Sequence, residues 1–427
     1  MKVYFYTLGC KVNQYESQSM SEMLKSKGFE TTHDFSNADV IVVNSCTVTS
    51  ESDRKTRQAV RRFKKLNPNA CVVLTGCMTQ ASPSSAEVLT QADIVLGNNT
   101  NDKLFDKISE YFKEKKKLTD ILPHISGETF KGDIISRFDE RERAFLKIED
   151  GCDRFCSYCI IPYARGRVRS KSLEDIKEEI DNLSQNGYKE VVLVGINLSA
   201  YGKDTGHDLT DAVKIANDND LIKRVRLGSL EPDTVTNEMI EKLKGFEKFC
   251  PQFHLSLQSG CDKTLKKMNR HYTADEYEKL CIKLRETFSD ATITTDVMVG
   301  FPEESDEDFE ESVKFCEKIG FEKVHVFPFS VRHGTRAEKK EQIEKSVKEK
   351  RAKILSERME KIRQDFFKEQ VGKTLEVLVE SALVGECHVG YTKNYIPVIF
   401  KCEDSLVGST VNVKIESFEK EHCCGTL

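Results

Sequence analysis

The sequence predicts a multidomain α/β protein with an N-terminal parallel α/β sheet, a central partial (β/α)6 barrel of TIM type and a small C-terminal all-β barrel. Three observations predict it. Strand-like and helix-like segments alternate over residues 1–117, the alternation resumes at residue 144, and short β runs follow residue 372. Alternating strands and helices build parallel sheets covered by helices. We assign residues 118–143 to a linker and residues 338–371 to a connecting helix.

The first unit contains four short apolar runs that we predict to be strands, at residues 2–8, 38–44, 70–75 and 92–96. Strands of a parallel sheet are buried on both faces and therefore read as nearly continuous apolar runs. Between them, residues 13–27 and 52–66 have helical patterns. The first ends before Gly28, and glycine is common just after a helix.

The central unit, residues 144–337, continues the alternation with six predicted strands, at residues 145–149, 190–194, 224–228, 252–257, 292–297 and 323–327. Six βα units form an open barrel whose chemistry lies at the carboxyl ends of the strands. Closure at eight strands is not predicted. The last unit, residues 372–427, has four short β runs separated by glycines and polar turns, which predicts a small barrel.

Composition narrows the class of protein. No segment approaches the roughly 18 apolar residues of a membrane span, and the N-terminus has no secretory pattern. We therefore expect a cytoplasmic protein with no membrane partner. The chain has 15 cysteines, and because the cytosol keeps thiols reduced, clustered cysteines indicate metal or redox chemistry rather than disulfides.

The strongest chemical signal is the C-x3-C-x2-C run formed by Cys152, Cys156 and Cys159, directly after the first strand of the central unit. Three thiolates hold three irons of a [4Fe–4S] cluster and leave the fourth iron open for a small molecule. Radical chemistry with S-adenosylmethionine needs such an open iron. Structural zinc prefers four protein ligands in pairs, and no second pair lies nearby, so iron–sulfur is favoured.

A second set of cysteines is dispersed in sequence. Cys10, Cys46 and Cys77 each come just after a predicted strand of the N-terminal sheet. The carboxyl ends of parallel strands lie at one edge of a sheet, so the three thiols are expected to converge and hold a second cluster. The alternative is three unrelated cysteines, which are often buried in strands.

These cysteines stand within longer motifs, which are TLGCKVNQYES at 7–17, NSCTV at 44–48, TGC at 75–77, RLGSLEP at 226–232, LSLQSG at 255–260 and TDVMVGFP at 295–302. Together with the Cys152–Cys159 run they resemble the radical methylthiotransferase family, and the tail around GYTKNY at 390–395 is similar to its TRAM barrel. The LGCKVN run is most similar to the enzymes that modify threonylcarbamoyladenosine, beside the anticodon of some tRNAs. Enzymes for isopentenyladenosine or ribosomal proteins usually carry other residues after that first cysteine.

The resemblance implies two [4Fe–4S] clusters and S-adenosylmethionine as cofactors. The catalytic cluster on Cys152, Cys156 and Cys159 would bind S-adenosylmethionine. One-electron reduction, by a flavodoxin- or ferredoxin-type partner, would then give a 5′-deoxyadenosyl radical that abstracts hydrogen from the adenine ring. The second cluster would carry the sulfur that is methylated and inserted. We also expect a monomer.

Polar residues at later strand ends are candidates to bind S-adenosylmethionine: Gly195, Asn197, Ser229, Glu231 and Gln258. Each of them is equally well explained as a turn or capping residue.

Basic residues crowd three runs near the presumed active edge, at residues 54–65, 154–171 and 263–270, although the net charge of the chain is −5. Such runs suit a phosphate backbone, and the expected partner is a tRNA anticodon loop, whose bases can be splayed out. We take Arg61, Arg62, Arg165 and Arg167 as candidate RNA contacts. The alternative for any single run is a solvated helix face.

Other functions stay open. The C-terminal unit has five lysines, no arginine and eight acidic residues, which is unusual for an RNA-binding domain. A ribosomal-protein side chain therefore remains an alternative substrate, as does isopentenyladenosine. A non-catalytic iron–sulfur or zinc RNA-binding module is the alternative from another class. Cys423 and Cys424 have no assigned role.

Overall fold

The computed structural model of the chain describes residues 1–132, 134–138, 142–383, 385–403 and 405–427. Part of the predicted linker, residues 133 and 139–141, lies outside the described residues. Within those that are described, no helix is both long and apolar enough to cross a membrane.

The N-terminal unit is a parallel six-stranded sheet in the order β2-β1-β3-β4-β5-β6. Its strands are β1 (Lys2–Thr7), β2 (Glu30–Thr31), β3 (Val40–Ser45), β4 (Cys71–Gly76), β5 (Ile94–Leu96) and β6 (Leu118–Asp120). All residues of β3 and β4 are buried, as their apolar sequence predicts. The edge strands β2 and β6 were not predicted, and β6 lies at the start of the segment predicted as linker.

Helices cover both faces of this sheet. They are α1 (Lys11–Ser26), α2 (Ser50–Leu66), α3 (Cys77–Ala81), α4 (Pro83–Glu87) and α5 (Leu104–Glu114). The α2 helix begins where the Thr49 side chain accepts a hydrogen bond from the amide of Ser52, which satisfies one of the free amides at a helix start. Its apolar residues Ala59, Val60 and Phe63 pack onto the sheet.

The central unit is an open barrel with six strand positions, formed by one parallel sheet of three strands and one of four. Its strands are β7 (Arg143–Lys147), β8 (Glu149–Asp150), β9 (Arg169–Ser170), β10 (Glu190–Val194), β11 (Arg224–Leu227), β12 (Ser229–Leu230), β13 (Gln252–Leu255), β14 (Thr292–Val299) and β15 (Lys323–Pro328). The predicted strand at residues 224–228 corresponds to β11, and after Gly228 the chain continues into the short strand β12, which was not predicted and shares the same position in the barrel. The pairing β7-β10-β11 and then β12-β13-β14-β15 confirms the six predicted units, and β8 with β9 forms a separate short ladder.

Helices cover the convex side of this barrel, except that the short α6 packs against α3 of the N-terminal unit. They are α6 (Ile161–Arg165), α7 (Leu173–Gln185), α8 (Leu209–Asp218), α9 (Asn237–Lys244), α10 (Asp262–Lys267), α11 (Ala274–Thr287), α12 (Asp306–Ile319) and the connecting helix α13 (Lys345–Lys368). Alternation along β13 directs Phe253 and Leu255 into the core beneath the helices, so His254 lies on the opposite, concave side. We call the space on that concave side the lumen.

The C-terminal unit is a closed five-stranded barrel in the order β16-β17-β18-β20-β19. Its strands are β16 (Thr374–Ala382), β17 (Cys387–Thr392), β18 (Pro397–Lys401), β19 (Thr410–Phe418) and β20 (Cys423–Thr426). Four were predicted. The fifth, β20, pairs with both β18 and β19 and closes the barrel. Cys423 is fully buried in its core.

The turn between β17 and β18 closes the amino end of the central barrel. Tyr391 and Tyr395 stack with ring centroids 4.7 Å apart. Arg143 from β7 lies 4.9 Å and Arg226 from β11 lies 4.7 Å from the Tyr395 ring. The amino end of the lumen is therefore lined by the C-terminal unit, and the carboxyl end faces the cysteine loops.

Candidate active site

Three adjacent strands of the N-terminal sheet deliver the first set of cysteines. Cys10 is the N-cap of α1, Cys46 directly follows β3, and Cys77 begins α3 at the end of β4. A Cβ placed on Gly9 would lie 3.0 Å from Cβ and 3.3 Å from Sγ of Cys46. The loops that carry Cys10 and Cys46 are thus in contact.

Two features of the sequence hold these loops together. The side-chain amide of Asn13 donates hydrogen bonds to the carbonyls of Leu8 (2.8 Å) and Ser45 (2.9 Å), which lie just before Cys10 and Cys46. Gly76 has φ = 101° and a Cβ there would lie 2.4 Å from the Ser45 carbonyl oxygen. Glycine is therefore required at the turn that leads into Cys77.

The three thiols share one electrostatic environment. Burial, opposed by Arg165 and assisted by the nearby Cys46, Glu16 and Cys10, raises the pKa of Cys77 to about 12. Burial also raises the pKa of Cys46. All three are free thiols, of which Cys46 and Cys77 are buried and Cys10 is exposed, and thiols gathered at one place are stabilised as thiolates by bound metal. This donor set fits an iron–sulfur cluster.

The second set of cysteines lies on the loop after β8. The amide of Cys159 donates to the carbonyl of Cys156 at 3.0 Å. Burial raises the pKa of Cys159, and the charges of Cys156 and Cys152 each raise it further. Burial raises the pKa of Cys152 to about 12. The three thiols are partly accessible, so this loop also presents a compact thiol triad.

The segment after α10 supports the second triad. Ser157 is held through its amide by the Met268 carbonyl (2.9 Å) and through its hydroxyl by the Lys267 carbonyl (2.9 Å). Arg270 lies 3.4 Å from Cys156 Sγ and forms an ion pair with Glu231. Sequence reasoning placed Arg270 only in a basic run and missed this contact.

Arg165 connects the two thiol sites. It ends α6, the helix that begins two residues after Cys159, and its side chain is fully buried. Its Nε lies 3.2 Å from Cys77 Sγ, and its other nitrogens donate to Asn13 (2.9 Å), Glu16 (2.6 and 3.0 Å) and Asp150 (3.2 and 3.3 Å). A guanidinium with five donors suits such a network. The two triads therefore open toward one interface between the units.

The predicted RNA contact at Arg165 is wrong, because a fully buried guanidinium cannot reach a phosphate backbone. Its neighbours Arg169 and Lys171 are also buried, and Lys171 is paired with Glu179. The exposed residue of this run is Arg167, which lies 3.1 Å from Asp153. Most of the basic side chains at residues 154–171 therefore neutralise the charge of buried carboxylates.

Arg61 and Arg62, by contrast, are exposed on α2. The Arg62 guanidinium lies 5.7 Å from the Phe35 ring. The α2 helix starts four residues after Cys46, so its basic face remains a candidate RNA surface next to the first triad.

Two predicted S-adenosylmethionine residues have unsatisfied buried acceptors. Asn197 Oδ1 and Gln258 Oε1 are buried and accept no hydrogen bond from any described residue. Gln258 also has φ = 67°, a strained value for a non-glycine residue. Buried acceptors are rarely left without donors, so these two positions fit a polar ligand such as S-adenosylmethionine.

Glu149 lies behind the loop of Gly195 and Asn197. Its Oε2 accepts from the Asn197 amide at 2.7 Å, and a Cβ on Gly195 would lie 2.6 Å from that oxygen. Burial raises the pKa of Glu149 well above its ordinary value. In the sequence, Glu149 has no distinguishing feature other than its position three residues before Cys152.

The other two predicted ligand residues have protein partners. The Ser229 hydroxyl lies 2.9 Å from that of Ser256, and Glu231 is paired with Arg270. Their proposed contact with S-adenosylmethionine, like that of Gly195, stays a prediction.

Comparison with known families matches three parts of the chain. Residues 146–316 match the Radical SAM superfamily, residues 2–97 match the uncharacterized protein family UPF0004, and residues 368–421 match the TRAM domain. These matches confirm the predicted resemblance and the three-unit fold.

Similar proteins span nearly the full length. A protein of Aquifex aeolicus named threonylcarbamoyladenosine tRNA methylthiotransferase MtaB is 40% identical over 93% of this chain and 96% of its own. The Bacillus subtilis protein of the same name is 36% identical over 97% of this chain and 93% of its own. A Clostridium perfringens protein named tRNA-2-methylthio-N(6)-dimethylallyladenosine synthase is 36% identical over 96% of this chain and 94% of its own.

Among solved structures, the radical S-adenosylmethionine methyltransferase TsrM of Kitasatospora setae superposes with a TM-score of 0.55 over 76% of this chain and 72% of its own. At 14% identity this similarity concerns the fold alone. Methylthiotransferases of the radical type use S-adenosylmethionine and two [4Fe–4S] clusters, and the two thiol triads meet that requirement. The chain belongs to the family of radical S-adenosylmethionine methylthiotransferases.

Proposed function

We propose that this enzyme inserts a methylthio group at C2 of N6-threonylcarbamoyladenosine next to a tRNA anticodon. The observation that carries the proposal is Arg165, which follows the second triad in sequence and contacts Cys77 of the first at 3.2 Å. Two thiol sites at one interface suit a reaction in which one site activates the substrate and the other supplies sulfur. The names of the Aquifex aeolicus and Bacillus subtilis relatives support the substrate.

Cys152, Cys156 and Cys159 would hold one cluster, and Cys10, Cys46 and Cys77 the other. With S-adenosylmethionine bound, the cofactors supply a radical that removes hydrogen from the adenine and a sulfur that takes its place. The protein positions these groups. Asn13 fixes the loops of the first triad, Arg270 supports Cys156, and the buried acceptors of Asn197 and Gln258 orient the polar groups of S-adenosylmethionine.

The RNA would approach across the exposed basic residues Arg61, Arg62 and Arg167. An enzyme that acts on a base must draw it out of its stack, and the lumen offers the space into which the adenine would turn. We infer further that the enzyme is a cytoplasmic monomer and takes electrons from a flavodoxin- or ferredoxin-type protein.

A second candidate substrate is N6-dimethylallyladenosine in tRNA. The Clostridium perfringens relative named for it matches at 36% identity, which equals the identity to the Bacillus subtilis protein. The Aquifex aeolicus relative named for threonylcarbamoyladenosine is 40% identical, so overall similarity favours the first candidate.

Nucleoside mass spectrometry of tRNA tests the proposal. Cells lacking the gene are expected to lose 2-methylthio-N6-threonylcarbamoyladenosine and accumulate its unthiolated precursor, while a plasmid copy restores the product. Loss of the dimethylallyl product instead would establish the second candidate. If every methylthio-nucleoside persists, tRNA is not the substrate and a ribosomal protein becomes the substrate to examine.

A further inference from the structure

A lysine of the first cysteine loop reaches the lumen. Lys11 is the residue after Cys10 and the first residue of α1, and its Nζ lies 6.0 Å from the centre of the Phe145 ring. Phe145 belongs to the same buried core as its neighbours at 144 and 146, but because side chains alternate along a strand it lies on the side of β7 that also carries Arg143. Arg143 contacts Tyr391 at the closed end of the lumen. Lys11 thus stands between the thiol site and that end.

The arginine side chains around Lys11 already donate hydrogen bonds to protein acceptors. Arg226 donates to Glu190 at 2.9 Å and to the Lys393 carbonyl at 2.9 Å. Arg143 donates to Glu380 at 3.0 Å. The charges of these two arginines and of Glu190 all act on the Lys11 ammonium group.

Lys11 itself makes no hydrogen bond or ion pair with any residue that the structure describes, and its side chain is exposed. Its positive charge is repelled by the nearby Arg143 and Arg226, and an anionic group bound beside it would relieve that repulsion. Arg224 also lies 3.9 Å from Glu190 and pairs with Glu376 at 2.9 Å. Four cations, Lys11, Arg143, Arg224 and Arg226, therefore face three carboxylates, those of Glu190, Glu376 and Glu380. The surplus positive charge is at Lys11, and it predicts an anionic group on the ligand that enters the lumen.

We propose that Lys11 binds the carboxylate of the threonylcarbamoyl substituent and thereby selects this nucleoside; the proposal rests on the proposed function. Threonine linked through its nitrogen keeps a free carboxylate, ionised at neutral pH because such groups have a pKa of about 3.5. The dimethylallyl substituent is a neutral hydrocarbon. In adenine, C2 and the carbon that bears N6 both flank N1, so a base presenting C2 to the first triad directs its substituent along the same edge, toward the residue after Cys10.

The test compares two anticodon stem-loop RNAs that differ only in charge. One carries N6-threonylcarbamoyladenosine, and the other carries its threoninamide analogue, in which a carboxamide replaces the carboxylate. A charged hydrogen bond contributes roughly 1.5–3 kcal/mol, so the wild-type enzyme is expected to prefer the acid by about 10- to 100-fold in kcat/KM and in binding measured by fluorescence anisotropy. The Lys11→Met variant is expected to bind and convert the acid only as well as the amide, with the amide values unchanged.

Two further variants complete the design. Lys11→Arg keeps the charge and is expected to retain most of the preference for the acid. Lys27→Met removes an exposed lysine just past the other end of α1 and is expected to leave the preference unchanged. Binding to RNA does not require turnover, so it gives the comparison even if a variant assembles its clusters poorly.

Equal losses on both RNAs in the Lys11→Met variant would overturn the proposal, because Lys11 would then serve a phosphate or the thiol site. Equal binding of the two RNAs by the wild-type enzyme would also overturn the proposal. If the wild-type enzyme cleaves S-adenosylmethionine yet thiolates neither RNA, the proposed function itself fails and this proposal fails with it. Product on the acid RNA with unaltered discrimination in Lys11→Met would refute the role of Lys11 alone.

Discussion

The buried acceptors of Asn197 and Gln258 are the residue-scale sign of a ligand site, because each oxygen has no donor among the described residues. We expect Asn197→Ala and Gln258→Ala each to raise the Kd for S-adenosylmethionine about 5-fold, since one net hydrogen bond contributes roughly 1 kcal/mol. Iron content should stay at the wild-type value. Isothermal titration of the reconstituted enzyme measures the Kd, with Gln185→Ala on the exposed face of α7 as the control. Unchanged affinity in both variants would remove these residues from the site.

The residue scale also shows where sequence reasoning stopped. The convergence of Cys10, Cys46 and Cys77 could be predicted because parallel strands end at one edge. The burial of Arg165 could not, because partners such as Glu16 and Cys77 come from a different unit. In sequence it is one of several arginines in a basic run. The contact between residue 149 and the loop after β10 was missed for a similar reason, since it is made only in the folded barrel.

Among the elements, α2 is the candidate RNA surface. The double variant Arg61→Ala, Arg62→Ala is expected to raise the Kd for tRNA about 10-fold and to make its dependence on salt shallower, because each lost phosphate contact reduces the slope by about 0.7–0.9. Filter binding over a range of salt concentrations measures both. Lys353→Ala with Lys361→Ala, exposed lysines of α13, is the matched control. A higher Kd with an unaltered slope of its salt dependence would argue against phosphate contacts.

The β17–β18 turn is the second element with a definite role, since it closes the lumen. Tyr395→Ala removes the ring beneath Arg143 and Arg226 and is expected to lower the free energy of unfolding by about 2 kcal/mol, in the range of desolvated cation–π contacts. Tyr395→Phe keeps the ring and should cost clearly less. Denaturant unfolding followed by circular dichroism measures both. Equal losses in the two variants would assign the effect to the hydroxyl.

Element boundaries show the same limit of sequence reasoning. The buried strands β3 and β4 were predicted closely because a short, nearly continuous apolar run is typical of a strand buried on both faces. The strand β20 (Cys423–Thr426) was missed because a four-residue run ending in Gly425 and Thr426 has no alternating pattern. It is a strand because β18 and β19 offer it both edges.

For the whole molecule, the contact between the N-terminal and central units depends on a buried charge network. Burial raises the pKa of Glu16, but Arg165 and Lys147 outweigh it and hold that pKa below its usual value. A carboxyl with a lowered pKa in the folded protein stabilises it above the unfolded value, about 4.3, and this contribution is lost as the pH falls further.

We therefore expect the unfolding free energy of the cluster-free protein to fall steeply below about pH 4. Glu16→Gln should cost about 3–5 kcal/mol at pH 7, since it leaves buried cations without their partner, and should flatten the acid dependence. Urea unfolding at a series of pH values tests this. Glu51→Gln, an exposed acid beside Arg54, is the control. An acid profile identical in wild type and Glu16→Gln would contradict the assignment.

The central claim is that two thiol triads with different tasks meet at one interface. Its most direct test measures iron content, S-adenosylmethionine cleavage and methylthiolated tRNA for the wild-type enzyme, Cys46→Ala and Cys156→Ala after anaerobic reconstitution. We predict about eight irons in the wild type, four for each cluster, and fewer in either variant. Cys46→Ala should cleave S-adenosylmethionine without forming thiolated product, and Cys156→Ala should do neither. Thiolated tRNA from Cys46→Ala, or stoichiometric zinc in place of iron, would contradict the account.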